Sequence, residues 1–365
     1  MSYKIIKKDL LIIGSYSKGY QRNKVMLNAF NGLFNISEIN IIKGGVKKYL
    51  FFLKEVFLNC KNKDYIFLMN ELSYRPVFFL FFVKFFFRKK IIFDCFVSIY
   101  DTYIYDRKLV KKYSFKSLYY YLSDYFACQL ADIIIFDTFE HKKYFVKLFK
   151  IRKSQDKIVL PVSLDIEHID NIKTDNNFYD NLGEKKFNIL FYGYYIPLQG
   201  VKYIAEAAKI LKKNSNLRFI LIGSGQQKKE IEEFCKKFNL NNLIFISRID
   251  YKDLIARIKG ADACLGIFGN TDKAKRVIPN KVLDCMACNK IVITGRNKEM
   301  ERYFKDKQDI VFCNMADSKD LAKKVEFVYN NYKDLKYIEK NAVEKIKKNF
   351  SKESLGYLIK ESIKI

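Results

Sequence analysis

Short apolar runs alternate with longer stretches of helical spacing along the whole chain. In the first half DLLIIGS, YIFLMN, KIIFDCF, ADIIIFD and KIVLPVS read as strands, and segments such as SFKSLYYYLSDYFACQLAD read as helices between them. Residues 166–186, IEHIDNIKTDNNFYDNLGEKK, are polar and have no apolar period, which predicts a linker. The alternation then restarts. FNILFYGYY, LRFILIGSG, NLIFISR, ACLGIF, KIVITG and IVFCN read as strands, and VKYIAEAAKILKKN, QKKEIEEFCKKFNL, DLIARIKGAD and NKVLDCMACN as helices. Strands alternating with helices build parallel sheets. Two such halves in succession predict an α/β protein of two Rossmann-like domains facing each other across a cleft. The first is expected over 1–168 and the second over 186–345, followed by a last helix over 350–365. Ligands of such sheets bind beyond the carboxyl ends of the strands.

One apolar run stands apart. PVFFLFFVKFFF, Pro76 to Phe87, is about half the length of a spanning helix and is interrupted by Lys84, so it is not expected to cross a bilayer. Either it is a helix buried on a sheet, or its aromatic face, flanked by Arg88, Lys89 and Lys90, rests on acidic lipid. The strand that follows at once favours the buried helix.

With 365 residues the chain exceeds one usual core, and its 49% hydrophobic and 29% charged residues make a folded, globular composition. Four prolines and fifteen glycines leave no room for a long flexible tail. The net charge of +27 favours anionic partners: nucleic acid, acidic headgroups or phosphorylated small molecules. Heavy use of Lys, Ile, Asn, Phe and Tyr, the mark of an AT-rich genome, contributes to the same charge. The N-terminal LLIIG is too short for a signal peptide and reads as a first strand. Eight scattered cysteines suit reduced thiols in the cytoplasm. Cys285 and Cys288 form a C-x-x-C inside an apolar helix, and His141 and His168 are the only histidines, so no zinc site is expected.

Charge and helix position conflict at KAKRVIPNKVLDCMACNKIVITG, Lys273 to Gly295, where a cationic loop runs into a helix that begins at Pro279. A helix N-terminus already carries about half a positive charge. The arrangement makes sense with an anion such as phosphate between them.

The second half, from ILFYGYYIPLQGVKYIAEAAKIL through LRFILIGSGQQKKEIEE and IFISRIDYKDLIARIKGADACLGIF to VIPNKVLDCMACNKIVITG, resembles the C-terminal domain of the glycosyltransferase family 4 (group 1) enzymes. LADIIIFDTFEHKKYFVKLF and IVLPVSLD resemble the segments that close that family's N-terminal domain. The resemblance implies the GT-B fold, a sugar nucleotide held by the C-terminal domain, an acceptor held by the N-terminal one, and a last helix that crosses back onto the first domain. It also implies transfer with retention of configuration.

Several of the family's residues are replaced. Of its two glutamates with seven residues between them, the second corresponds to Asp284 and the first to Arg276. The Arg and Lys it directs at phosphates correspond to Tyr194 and Gln199. Lys273, Lys275, Arg276 and Lys281 would then restore the lost charge. The expected donor site comprises Gly193, Gln199, Gly200, Gly223, Arg248, Arg276, Asn280, Lys281 and Asp284. Arg276 would hold a phosphate bidentately, Lys281 would act as a mobile point charge, Asp284 would accept ribose hydroxyls, and Arg248 would stack on the base. The competing reading is a basic surface loop before an ordinary core helix.

In the first half, GSYSKGYQRNKV looks like the family's loop near the acceptor, with Gly14, Lys18, Gly19 and Arg22 on the acceptor side. It lacks G-x-G-x-x-G, which removes support for a nicotinamide cofactor. FDCFVSIYDTY ends a strand where many relatives keep a histidine, so Asp94 or Asp101 would take that catalytic role, or both are structural. Arg276 and Lys281 would stabilise the leaving group. No D-x-D triplet occurs, so no metal or other cofactor is expected beyond a UDP- or GDP-sugar co-substrate.

The leading expectation is therefore a metal-independent, retaining glycosyltransferase acting on a lipid-linked or other glycan acceptor for cell-surface polysaccharide, cytoplasmic and peripheral at the inner membrane face. The alternatives are an inactive or regulatory nucleotide-sugar-binding relative and a basic nucleic-acid-binding protein. The latter lacks a recognition motif, and no nucleic-acid partner is expected. Two surfaces are expected to meet anionic lipid: Lys47, Lys48 and Lys54 with Phe51 and Phe52, and Lys108, Lys111, Lys112 and Lys116 with Tyr113 and Phe115. The competing reading turns those aromatics into the core.

Overall fold

The computed structural model describes residues 7–40, 46–70 and 77–363. They divide into one unit of residues 1–163 with 352–365, and a second of 164–351.

The first unit runs β1 (Asp9–Ser15), α1 (Gln21–Leu33), β2 (Asn35–Asn40), α2 (Val46–Cys60), β3 (Tyr65–Asn70), α3 (Val77–Phe87) and β4 (Lys90–Asp94). A π-helical turn, Asp101–Asp106, precedes α4 (Phe115–Leu130), β5 (Ile133–Phe136), α5 (Phe139–Leu148) and β6 (Asp156–Val159). The second unit holds α6 (Ile166–Asp170), α7 (Asn176–Asp180), β7 (Phe187–Tyr194), α8 (Val201–Ile210), β8 (Leu217–Ser224), α9 (Lys228–Lys237), β9 (Leu243–Ile246) and α10 (Tyr251–Gly260). It continues with β10 (Ala263–Leu265), α11 (Asn280–Ala287), β11 (Ile291–Gly295), α12 (Lys298–Tyr303), β12 (Val311–Cys313), α13 (Ser318–Asn330) and α14 (Lys336–Asn349). The chain then re-enters the first unit as α15 (Lys352–Ser362).

Each unit has one six-stranded parallel sheet, ordered β2-β1-β3-β4-β5-β6 in the first and β12-β11-β10-β7-β8-β9 in the second. Both units are Rossmann-like. Helices on both faces explain why strands such as Ile133–Phe136 are apolar and buried at every position. The edge strand β2, NISEIN, departs from this most of all: it is partly exposed along its length and has no apolar run. Side-chain oxygens of Ser114, Thr138, Asp250, Asn297 and Asp317 each accept the amide three residues on and so start α4, α5, α10, α12 and α13.

The polar stretch over 166–186, expected as a linker, is packed into the second unit instead. Tyr179 donates its hydroxyl to the Arg257 carbonyl at 2.5 Å, and Lys259 donates to the Ile172 carbonyl at 2.6 Å. Its helices have only five residues each, too short to display an apolar period. α15 packs on α1, and Leu355, Ile359 and Ile363 share a buried cluster with Val25, Met26 and Phe30. No helix among the described residues is long and apolar enough to cross a membrane.

Candidate functional site

In the second sheet the chain leaves β7 in both directions, to β8 and β9 on one side and to β10, β11 and β12 on the other. At such a switch the crossovers diverge and open a crevice at the carboxyl end of the strand. β7 ends there at Gly193 and Tyr194, in register with Gly223 and Ser224 of β8. Gly193 has φ +144°, a region that favours glycine, and a Cβ on it would lie 2.7 Å from the Lys281 ammonium. Gly223 packs against the Gly193 carbonyl, and Gly200 opens α8.

Beside the switch lies the crossover from β10 to β11, which contains α11. Pro279, expected at the first helical position, is extended and forms the N-cap, so the helix begins at Asn280. The first amides of a helix have no acceptor within it. Lys281 follows. Its Nζ donates to Gln199 Oε1 at 2.5 Å and sits 3.6 Å from the Phe191 ring centroid. Lys281 is therefore a buried, positioned group and not a mobile charge, and burial pushes its pKa well below the ordinary lysine range. Arg276 is also buried, and its amide donates to the Lys273 carbonyl at 3.0 Å. Lys275 stays exposed, 3.7 Å from Asp272.

One turn into α11, Asp284 is buried and accepts two phenols. Tyr251 donates to Oδ1 at 2.9 Å and Tyr192 donates to Oδ2. Burial raises the Asp284 pKa to about 6, against the pull of both hydroxyls. Its oxygens, expected to take ribose hydroxyls directly, are thus already engaged. Arg248 donates to the Tyr194 hydroxyl at 3.1 Å, which puts a guanidinium beside the position where the family's arginine is missing.

In the first unit Gly14 is the last buried residue of β1, whereas Lys18 and Gly19 are exposed in the following loop. Lys18 is 2.9 Å from Glu38. Arg22 and Asp94, expected respectively on the acceptor side and in catalysis, are bound to each other. Their two bonds, 2.7 and 2.8 Å, are buried, and the guanidinium lies 3.9 Å from the Phe96 ring centroid. A bidentate pair satisfies both carboxylate oxygens. Asp101 is buried at the start of the π-helical turn, its amide bonded to Ser98 Oγ at 2.9 Å.

Sequence reasoning missed two groups. His141, weighed only as a metal ligand, has Nδ1 2.5 Å from Asp137 Oδ1, both buried just beyond β5, while Nε2 has no partner. The i, i+4 spacing after a strand was the available signal. Tyr192 and Tyr251 gave none, since they lie 92 and 33 residues from Asp284. All eight cysteines are buried and free, and no cluster among the described residues has the ligands to hold a metal.

Residues 173–345, which carry the whole of the glycine–lysine–carboxylate site, match the model of the glycosyl transferases group 1 family. The second unit is thus similar to a group 1 glycosyltransferase domain. Two uncharacterized glycosyltransferases of Methanocaldococcus jannaschii resemble it. MJ1059 is 26% identical over 167 residues, covering 45% of this chain and 39% of that protein. MJ1178 is 28% identical over 168 residues, covering 46% and 45%. The chain thus spans less than half the length of these curated relatives.

Likeness in fold extends beyond the group 1 domain. HepE of Anabaena, solved in complex with UDP and glucose, superposes with a TM-score of 0.73 at 13% identity, covering 98% of this chain and 99% of that one. Sucrose-phosphate synthase of Thermosynechococcus elongatus gives 0.74 at 12% identity, covering 97% and 98%. The fold is GT-B.

Proposed function

We propose that the chain transfers a sugar from a nucleotide-sugar donor to a glycan acceptor carried on lipid, at the inner face of the cell membrane, in the making of a surface polysaccharide. The observation that carries this reading is the convergence of Gly193, Lys281 and the α11 N-terminus at the switch point of a group 1 domain. A donor diphosphate placed there meets helix amides, the Lys281 ammonium and Arg276. An anion beside a desolvated ammonium restores its proton and its charge. The developing charge on the leaving group is then stabilised by groups already fixed in place, without a metal. Tyr192 and Tyr251 donate to Asp284, so each phenol oxygen remains an acceptor for a ribose hydroxyl. The proposed transfer retains configuration.

UDP is the first nucleotide to test, since HepE was solved with it. A thermal-shift series with UDP-, GDP- and ADP-sugars decides, because a ligand of the folded state alone raises the melting temperature. A rise with one nucleotide class is expected, and no rise with any would overturn the donor site. The loss of free carboxylates at positions 94 and 284 favours a second reading, a nucleotide-sugar-binding protein without transfer. Radiolabelled donor and a membrane extract separate the two: binding without labelled lipid product supports the second.

A further inference from the structure

The helix expected to be buried, α3, is buried on one side only. Val77, Leu80 and Val83 enter the core of the first unit. The opposite side carries Phe81, Phe82, Phe85 and Phe86, at positions i, i+1, i+4 and i+5, and the last three are 57%, 80% and 64% exposed. The helix's single charge is not among them. Lys84 turns away, donating to the Leu130 carbonyl at 2.6 Å and to Asp132 at 2.8 Å. The outward face is therefore an uninterrupted strip of aromatic rings, with Phe82 and Phe86 stacked at 6.5 Å and Phe85 edge-on to Phe86 at 5.3 Å.

Neighbouring helices extend the strip. Phe57 of α2 meets Phe87 at 5.0 Å, and Phe81 meets Phe126 of α4 at 5.4 Å, so the three helices lie side by side. α2 exposes Leu50, Phe51 and Leu58, while Phe52 is in the core, contrary to its expected place on the surface. At the start of α4, Tyr113 is 87% and Phe115 95% exposed. Cations frame these rings: Lys54, Lys61, Arg88, Lys108, Lys111, Lys112 and Lys116 are all exposed. No acidic residue lies in α3 or from 108 to 123. The side chains of Lys47 and Lys48 lie outside the described residues.

We propose that α3 is a membrane wedge, whose four phenylalanines enter the acyl boundary of an anionic bilayer while the surrounding lysines bind its headgroups. Apolar side chains on one face with cations around them are what an interfacial helix requires. A helix of 11 residues is about 16 Å long and cannot span, so it lies in the plane of the leaflet. The frame of like charge disfavours a second copy of the chain as the occupant, because a two-fold contact would set cation against cation. This inference rests on the membrane placement proposed above and adds the element that inserts.

The chain has no tryptophan, so Phe85→Trp supplies a single reporter. With vesicles of phosphatidylglycerol and phosphatidylcholine whose acyl chains are brominated, its emission should shift to the blue and be quenched. Neutral phosphatidylcholine vesicles should give little of either. In the native background Phe82→Ser/Phe86→Ser, both solvent-facing changes, should weaken vesicle affinity tenfold or more without moving the melting temperature. Binding to anionic vesicles with the reporter's emission unquenched and still that of a water-exposed indole would refute the wedge while leaving the membrane placement intact. Absence of binding to anionic vesicles at low salt would refute both. A blue shift without lipid that grows with protein concentration, accompanied by dimer in sedimentation velocity, would assign the strip to a second copy and overturn the proposal.

Discussion

The Lys281 ammonium is held 2.5 Å from Gln199 Oε1, so the residue expected to replace the family's phosphate-directed lysine positions another lysine. The cation reaches the same region from α11 instead of from the loop before α8. Gly193 makes this geometry possible, since any side chain there would crowd the ammonium.

Removing that cation should be costly. Lys281→Met keeps the buried stem and deletes the charge, and Arg276→Ala deletes a buried guanidinium. Each should lower kcat/KM for the donor about tenfold or more, given about 1.5–3 kcal/mol for a charge-assisted bond. Steady-state kinetics on folded variants checks this. Unchanged kinetics in either would remove that residue from the site.

Asp284 should leave a signature in stability against pH. Its folded-state pKa is about 6, above the unfolded value of about 3.9. Below about pH 4 both states are protonated. Between about 4 and 6 the folded state holds the proton and the unfolded state has lost it, so stability falls as pH rises through this window. The fall amounts to about 3 kcal/mol at most and is complete above pH 6. Melting curves of the native chain and Asp284→Asn from pH 4 to 7 should diverge accordingly, and parallel curves would contradict a buried, raised carboxyl.

Breaking the Arg22–Asp94 pair should destabilise the first unit more than it alters chemistry. Arg22→Met or Asp94→Leu alone leaves one buried charge uncompensated, at about 3–5 kcal/mol. The double variant should recover most of that loss in urea unfolding. Additive losses in the double would mean that the two groups act separately.

Metal independence is the fourth expectation, from the missing D-x-D. Turnover should be unaffected by EDTA, and activity lost with EDTA and restored by Mn²⁺ would reverse it.

The two-sheet architecture was legible because parallel strands covered on both faces are written as continuous apolar runs. β2 escaped because an edge strand needs no such run. The face of α3 was misjudged for the opposite reason: when every position is apolar, the sequence carries no direction, and the inward turn of Lys84 depends on Asp132, 48 residues away. In the site, the cationic loop before α11 was visible because its residues are consecutive. What the side chains bind was not, since Tyr192–Asp284 and Arg22–Asp94 join positions 92 and 72 residues apart.

The return of α15 to α1 bears on how the chain is made. Domains generally fold in order as they leave the ribosome, the earliest first. Here the N-terminal unit lacks Leu355, Ile359 and Ile363 of its own core until every strand of the second unit has been made. The nascent chain therefore carries an unsealed apolar groove along α1 while the second unit is made, and a stop codon just before Lys352 would spare the second unit yet leave its N-terminal companion permanently open.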